Sequence, residues 1–211
     1  PAIFVALIEQ EGRTGELLDI VMSMAARDRK RYRALASMPD ISINISVLDL
    51  DDEELPRRAQ KILLEAAPAE RWTFEVTETA PITDVAPALS ILTRLRIAGF
   101  KLSVDDFGTG TSNYERLLVA PFTELKIDRA MVSRLDINAD EPDPMVRSGI
   151  DVGHSLQLQV VAEGVESVDQ FRMVRDLGCD AAQGYLISPP VAPVQLDMAL
   201  DDWRRKFEYL S

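Results

Sequence analysis

The chain has 211 residues, of which 46% are hydrophobic and 27% are charged, and its formal net charge is −12. The acidic balance argues against a nucleic-acid surface, because duplex and strand binders need basic stripes. A single cysteine, Cys179, excludes an intrachain disulfide and a cysteine-rich zinc site. No apolar run reaches the roughly 20 residues of a membrane helix, and no signal peptide is recognisable. We therefore expect one cytoplasmic domain over residues 1–211 that does not insert into a membrane.

Apolar periodicity predicts strands and helices in alternation, which implies parallel βα units and an α/β fold. After a short connection over residues 1–13, helices are predicted at about residues 14–36, 55–67, 84–98, 112–119, 145–156, 167–177 and 194–208. The six predicted strands lie at about residues 41–46, 72–78, 102–106, 124–128, 159–163 and 180–185. A closed barrel of this type has about eight strands. Either two strands precede Pro1, or the sheet is open.

Basic residues crowd the end of the first long helix, from Arg27 to Arg33. Such a run suggests a phosphate site as one alternative. A solvated helix end is favoured, because cations near a helix C-terminus complement its dipole.

One face of strand after strand is polar, since successive residues of a strand point to opposite faces. The residues on this face near the strand ends are Asn44, Glu75, Asp105, Lys126 and Glu163. Parallel sheets usually bury two apolar faces, so a polar face is unusual. If it lines a barrel, these side chains converge at the C-terminal mouth, where enzymes of this architecture keep their active sites.

Two adjacent carboxylates, Asp105 and Asp106, end the third strand just before a glycine-rich loop. A solvated strand end is one explanation of this pair. A bound cation is the other, because clustered carboxylates repel and raise one another's pKa. An Asn/Asp/Glu oxygen set suits hard divalent cations better than zinc. The only histidine, His154, is predicted in the middle of a helix and is interpreted as structural.

Two metal ions bridged by a carboxylate could bind a phosphate, activate a water and stabilise the leaving oxygen. Lys126 would position that water or neutralise charge on phosphorus; alternatively it is paired to Asp128 or Glu124. Glu166 lies one turn beyond Glu163 and could ligate or take a proton. An acid in the first turn of the following helix would explain Glu166 equally well.

At this point the sequence resembles the EAL family of cyclic di-GMP phosphodiesterases. The resemblance covers nearly the whole chain and rests on six motifs in the family's order and at similar spacing. They are Ser42-Ile43-Asn44-Ile45-Ser46, Phe74-Glu75-Val76-Thr77-Glu78, Asp105-Asp106-Phe107-Gly108-Thr109-Gly110, Leu125-Lys126-Ile127-Asp128, Val161-Ala162-Glu163-Gly164-Val165-Glu166 and Gln183-Gly184-Tyr185.

The resemblance implies a modified TIM (β/α) barrel that hydrolyses cyclic di-GMP to linear pGpG with two divalent ions, Mg²⁺ or Mn²⁺. It implies that the metal ligands are Asn44, Glu75, Asp105, Asp106 and Glu163, with Asp105 bridging. Lys126 and Glu163 would serve the attacking water and the second metal.

Further roles are implied for residues around this centre. Glu78 would brace the loop after Asp106, Glu166 would support the site, and Gln183 would lie near the ligand. Residues 107–113 resemble the family's loop that couples metal binding to dimerisation, so a homodimer is expected. The parent protein is expected to carry sensory, GGDEF or receiver domains.

The Glu-Ala-Leu strand that names the family, with its metal-ligating Glu, should precede Pro1, as should the family's first, antiparallel strand. If both exist upstream, the parent protein is expected to be an active phosphodiesterase. If the natural chain starts at Pro1, one ligand is lost, the barrel is open, and little turnover is expected. Two alternatives to the enzyme stay open: a catalytically inactive cyclic di-GMP receptor, and a dimerisation module without ligand.

Overall fold

A computed structural model of the chain describes residues 2–31, 39–77, 85–108, 119–135 and 143–207. Its strands are β1 (Ile41–Ile45), β2 (Trp72–Thr77), β3 (Lys101–Phe107), β4 (Glu124–Ile127), β5 (Gln159–Ala162) and β6 (Ala181–Ala182). Its helices are α1 (Ala2–Gln10), α2 (Thr14–Arg31), α3 (Leu55–Leu63), α4 (Val85–Ile97), α5 (Arg129–Val132), α6 (Pro144–Ser155), α7 (Val168–Asp176) and α8 (Leu196–Phe207).

The predicted α/β fold is confirmed, because the six strands form one sheet in which they follow each other in chain order. The pairs β1–β2, β4–β5 and β5–β6 are parallel, as expected when helices connect successive strands. The described strands do not close into a barrel, since β1 and β6 stand at opposite ends of the strand order. Within the described ranges, no helix is both long enough and apolar enough to cross a membrane.

The prediction of a connection over residues 1–13 is wrong, because α1 occupies residues 2–10. Its run of apolar residues contains neither glycine nor proline, so nothing in it interrupts helical hydrogen bonding. The helix ends before Gly12, which adopts a positive φ of 65°. The predicted helix at 112–119 and the end of the predicted helix at 14–36 fall mostly outside the described residues.

The chain divides into two compact units, Pro1–Val104 with Asn113–Thr123, and Asp105–Ser112 with Glu124–Ser211. In the first unit, β1 and β2 carry a buried apolar face made by Ile43, Ile45 and Phe74. Phe74 meets Phe100 edge to face, with ring centroids 5.3 Å apart. Each large apolar side chain buried in this way contributes about 1.5–3 kcal/mol to stability.

A buried aspartate fixes the turn that follows β1. Asp49 is 4% exposed and accepts a hydrogen bond from the Ser46 backbone N–H, while the Ser46 hydroxyl accepts one from the Leu48 N–H. A side-chain hydrogen bond also joins Asp49 to Thr14 at the start of α2. Burial raises the pKa of the Asp49 carboxyl. The hydrogen bonds that Asp49 makes with Thr14 and with the Ser46 backbone, and the nearby Arg58 charge, lower this pKa but do not cancel the effect of burial.

Asp49→Asn should make the free energy of unfolding less sensitive to pH. The folded state binds the Asp49 proton more tightly than the unfolded state does, so wild-type stability falls as pH rises from the ordinary aspartate pKa through the raised one. We expect the free energy of unfolding of the variant, relative to wild type, to increase over this range in urea titrations. Asp51→Asn, at an exposed neighbouring position, is the matched control for the loss of one acid. A difference that stays constant with pH would contradict the assignment.

In the second unit, α6 approaches the sheet through two glycines spaced one turn apart. A Cβ atom built on Gly149 would lie 2.8 Å from Ile127 Cδ1, and one on Gly153 would lie 2.5 Å from Val160 Cγ2. Both distances are shorter than a normal carbon–carbon contact. The glycines therefore allow α6 to lie closer to β4 and β5 than a helix with larger side chains could.

Gly153→Ala should lower the free energy of unfolding by about 1–3 kcal/mol, because the added methyl overpacks a buried contact. Helix propensity alone predicts the opposite sign, with alanine about 1 kcal/mol better than glycine. Gly15→Ala in α2 is the matched control, since its Cβ would meet only ordinary contacts, at 3.7 Å or more. Urea denaturation of both variants measures the difference, and equal stabilisation by both would show that the close approach is not required.

Candidate metal centre

The centre is built at the end of β3, where the chain departs from regular strand geometry. Asp105 and Asp106 would point to opposite faces of an ideal strand. Asp106, however, has a φ of 58°, in the left-handed region where a non-glycine residue is uncommon and strained. The altered backbone lets both carboxylates contribute to one cluster. This conformation is one of the features that sequence patterning did not anticipate.

Three carboxylates converge in the second unit. Asp105, Asp106 and Glu163 each offer an oxygen atom, and these atoms all lie within 4.8 Å of one another. Glu163 is held beside β4 because its N–H donates to the Ile127 carbonyl at 3.0 Å. The structure thus brings together Asp105 and Glu163 from the set predicted to converge, with Asp106 beside them.

Lys126 lies among the acids. Its Nζ atom is 3.0 Å from Asp105 Oδ1 and 2.5 Å from Glu163 Oε1, and its side chain is only 4% exposed. The side chains of Asp105 and Glu163 are themselves 14% and 15% exposed. Lys126 therefore has two ion-pair partners that the alternative pairing with Asp128 or Glu124 did not include. A buried ammonium ion needs such partners, because removing its charge from water is costly.

The electrostatics of the cluster favour an added cation. Burial, followed by the negative charges of Asp105 and Asp128, raises the pKa of the Asp106 carboxyl, while Lys126 acts in the opposite direction. Asp105 Oδ1 is buried and accepts no hydrogen bond from the described residues, so the Lys126 contact is an ion pair only. The oxygen donors and the excess negative charge fit a hard divalent cation.

Asp128 is a member of this environment whose role was not anticipated. Its side chain accepts a hydrogen bond from the Ala130 N–H at 2.7 Å and so caps α5. It also interacts with Asp106, whose pKa it raises. The signal was present in the sequence, since Asp128 lies two residues after Lys126 on the same face of the strand predicted at residues 124–128, although β4 itself ends at Ile127.

Two further predicted residues lie at the ends of β5 and β6. Glu166 is ion-paired to Arg129, with 2.7 Å between Oε1 and Nη2, and its side chain is 45% exposed. Gln183 is exposed; its N–H donates to the Ala162 carbonyl and its own carbonyl accepts from the Val165 N–H. A Cβ on Gly184 would lie 2.2 Å from the Val165 carbonyl oxygen, so this turn requires glycine. Neither Glu166 nor Gln183 belongs to the carboxylate cluster.

The remaining predicted ligands lie in the first unit. Asn44 and Glu75 are direct register partners on β1 and β2. Asn44 is exposed, whereas Glu75 is 6% exposed and takes part in a polar interaction. Their participation in the metal centre stays a prediction. Glu78 lies outside the described residues.

The lone histidine is not part of the cluster. His154 lies in the last turn of α6, where its Nε2 atom is 3.2 Å from Asp180 Oδ2. Asp180 also accepts a hydrogen bond from the Val160 N–H at the start of β5. These contacts join α6 to the strands, which agrees with the structural interpretation of His154.

Lys126→Met should lower the free energy of unfolding by about 3–5 kcal/mol, because it leaves buried carboxylates without their cation. Lys101→Met is the matched control: Lys101 pairs with Asp40 at 2.8 Å but is 35% exposed. Its loss should cost about 0–1 kcal/mol. Urea denaturation at neutral pH without divalent ions measures both values. Equal costs for the two variants would contradict the proposed electrostatic role of Lys126.

The chain resembles known proteins over almost all of its length. Residues 1–190 match the EAL domain family. In Pseudomonas aeruginosa, cyclic di-GMP phosphodiesterase PA2567 is 33% identical over 210 residues, which cover 98% of this chain and 34% of the relative. Cyclic di-GMP phosphodiesterase RocR of the same organism is 31% identical over 192 residues, covering 90% and 49%. The chain therefore spans only a third to a half of these relatives.

A similar fold is found in a solved structure, the PaMucR phosphodiesterase in complex with c-di-GMP. The TM-score is 0.83 at 33% sequence identity, and the match covers 93% of this chain and 86% of that one. This agreement supports the α/β assignment independently of the motifs.

Proposed function

The chain belongs to the EAL domain family, and we propose that it hydrolyses cyclic di-GMP to linear pGpG in bacterial second-messenger signalling. The observation that carries this proposal is the gathering of the Asp105, Asp106 and Glu163 oxygens within 4.8 Å of one another. The buried Lys126 beside them provides a positive charge next to the acids. Two relatives, 33% and 31% identical to the chain, are named cyclic di-GMP phosphodiesterases.

We propose Mg²⁺ or Mn²⁺ as the cofactor, with two ions held by Asn44, Glu75, Asp105, Asp106 and Glu163. When bound, such ions would stabilise negative charge on the phosphate and lower the pKa of a water molecule. The fit rests on the donor set, which consists of oxygen atoms, and on the buried Asp105 Oδ1 atom that accepts no hydrogen bond from the described residues.

The side chains of the protein would have distinct tasks in the reaction. Lys126 would orient the attacking water and donate a hydrogen bond to a phosphate oxygen. Glu163, held by Lys126, would accept the proton that the water loses as its oxygen bonds to phosphorus. The bond from phosphorus to the ribose 3′ oxygen breaks, and that oxygen takes up a proton. The products are a 5′ phosphate and a 3′ hydroxyl, as linear pGpG requires.

Three other residues would act around the reacting atoms. Glu166 would support the site through its ion pair with Arg129. Gln183 has an exposed side chain at the end of β6 and would contact the ligand. Glu78 would brace the loop after Asp106.

We also propose that residues 1–211 form one domain of a longer, homodimeric signalling protein. The greater length of PA2567 and RocR supports additional sensory, GGDEF or receiver domains.

Asp105→Asn should reduce hydrolysis of cyclic di-GMP about 10²–10³-fold, a loss typical of removing one group that acts on transition-state charge. Asp176→Asn, at an exposed position paired to Arg175, should retain activity and is the control for the substitution itself. Formation of pGpG with Mg²⁺ or with Mn²⁺ is followed by chromatography, and ligand binding is measured in parallel.

The two measurements separate the open alternatives. Binding of cyclic di-GMP by wild type without any product would reject the enzyme and favour the receptor. An absence of both binding and product would reject both. Equal activity of Asp105→Asn and wild type would reject the assigned centre.

A further inference from the structure

A groove of about 450 Å³ lies between α2 and the end of α3, in the first unit. The residues that line it include Ala26, Arg27 and Lys30 from one side and Lys61, Ile62 and Glu65 from the other. On each side two adjacent residues are followed by one that lies one turn further along, Lys30 on one side and Glu65 on the other. None of them belongs to the candidate metal centre.

The charge of the groove is opposite to that of the molecule. Three cations and one acid line it, while the whole chain carries −12. Lys30 is 3.0 Å from Glu65, and Arg27 pairs at 3.4 Å with its sequence neighbour Asp28. Among the described residues, no acidic group lies within ion-pair distance of Lys61. Helix dipoles explain cations at both helix ends, but the same cations also give the groove an excess of positive charge.

The floor of the groove is aliphatic. Ala26 is 6% exposed, and Ile62 is partly buried and packs against the core of the unit. Among the described residues that line the groove none is aromatic, so these residues offer no surface on which a nucleobase could stack. An apolar floor between cationic rims matches a ligand that has aliphatic side chains flanked by carboxylates.

The exposure of the cations distinguishes between a polypeptide and a small anion. The side chains of Arg27 and Lys30 are 69% and 47% exposed. Isolated small anions are held best by buried, preorganised donors, which these long, hydrated side chains are not. An extended acidic surface can instead meet several such side chains at the rim while its apolar residues cover the floor.

We propose that this groove docks an acidic amphipathic helix from a partner polypeptide. Aliphatic residues at helical spacing would lie on Ala26 and Ile62. Glutamates on the two sides of that apolar face would meet Arg27 on one rim and Lys61 on the other. This is the helix-in-groove mode of recognition, with charge complementarity setting the orientation. The proposal is independent of the proposed hydrolysis.

The test uses the 211-residue chain and a fluorescently labelled helical peptide with leucines at i, i+3, i+4 and i+7 and glutamates beside them. Fluorescence anisotropy should show saturable binding that weakens with added salt, because rim charges are screened. Arg27→Glu combined with Lys61→Glu should weaken binding at least about tenfold, as expected for reversal of two complementary charges. Arg94→Glu combined with Arg175→Glu, outside the groove, is the charge-matched control and should change binding less than about twofold.

The apolar contact is tested separately. Ile62→Gln changes no charge and should weaken binding about threefold to tenfold through lost apolar burial, with folding verified by circular dichroism. A peptide of the same composition with scrambled leucine positions should bind at least about tenfold more weakly, since it cannot present one apolar face.

Three outcomes would overturn the proposal. Equal binding of the amphipathic and scrambled peptides would show that binding depends only on the charge of the peptide and not on an apolar helix face. Displacement of the peptide by equimolar pyrophosphate would identify a small-anion site instead. Failure of wild type to bind the amphipathic peptide at low salt would show that the groove is not a docking surface for an acidic amphipathic helix.

Discussion

The ion-pair cluster around Lys126 is the constraint on which the candidate site depends. An ammonium group that is 4% exposed is stable only beside carboxylates, and carboxylates within 4.8 Å of each other are stable only beside a cation. Lys126 satisfies the first condition but only part of the second, since three acids and one lysine leave a formal charge of −2. One divalent cation carries the opposite charge of the same magnitude and would neutralise it. The same arrangement that keeps the lysine buried therefore leaves the acids suited to bind metal.

The backbone conformation of Asp106 allows Asp105 and Asp106 to join the same cluster, which regular strand alternation does not allow. A regular strand would place Asp105 and Asp106 on opposite faces, and only one of them could then join Glu163. The positive φ of Asp106 ends the alternation and carries a strain cost. Aspartate tolerates this region better than most residues do. A strained residue beside a charge cluster is stable only when the surrounding packing holds it, and Phe107, which is 3% exposed, follows it directly.

Much of this architecture could be predicted from the sequence because its signals are local. Alternation of side chains located the first five strands and placed Lys126 and Glu163 on the polar face, whereas the sixth, predicted at residues 180–185, is reduced to Ala181–Ala182. Sequence periodicity did not predict α1, because a helix with apolar residues around its whole circumference has no periodic pattern of apolar and polar residues. In the structure the apolar residues Phe4 and Leu7 of α1 are exposed. The choice of Asp105 and Glu163 as partners of Lys126, rather than Asp128 or Glu124, depends on neighbouring strands and a turn. These contacts join residues that are far apart in the sequence, so a local sequence pattern does not predict them.

The overall acidity of the chain bears on the proposed substrate. A molecule with a net charge of −12 repels a phosphodiester at long range, so its surface as a whole does not attract the ligand. Attraction would then arise locally, from cations bound among the acids and from Lys126. A site of this kind acquires its affinity for a phosphate ester only after its own negative charge has been compensated. With cations bound to Asp105, Asp106 and Glu163, metal loading and substrate binding would be coupled by electrostatics, since a first divalent ion offsets the charge of −2 and a second makes the local charge positive.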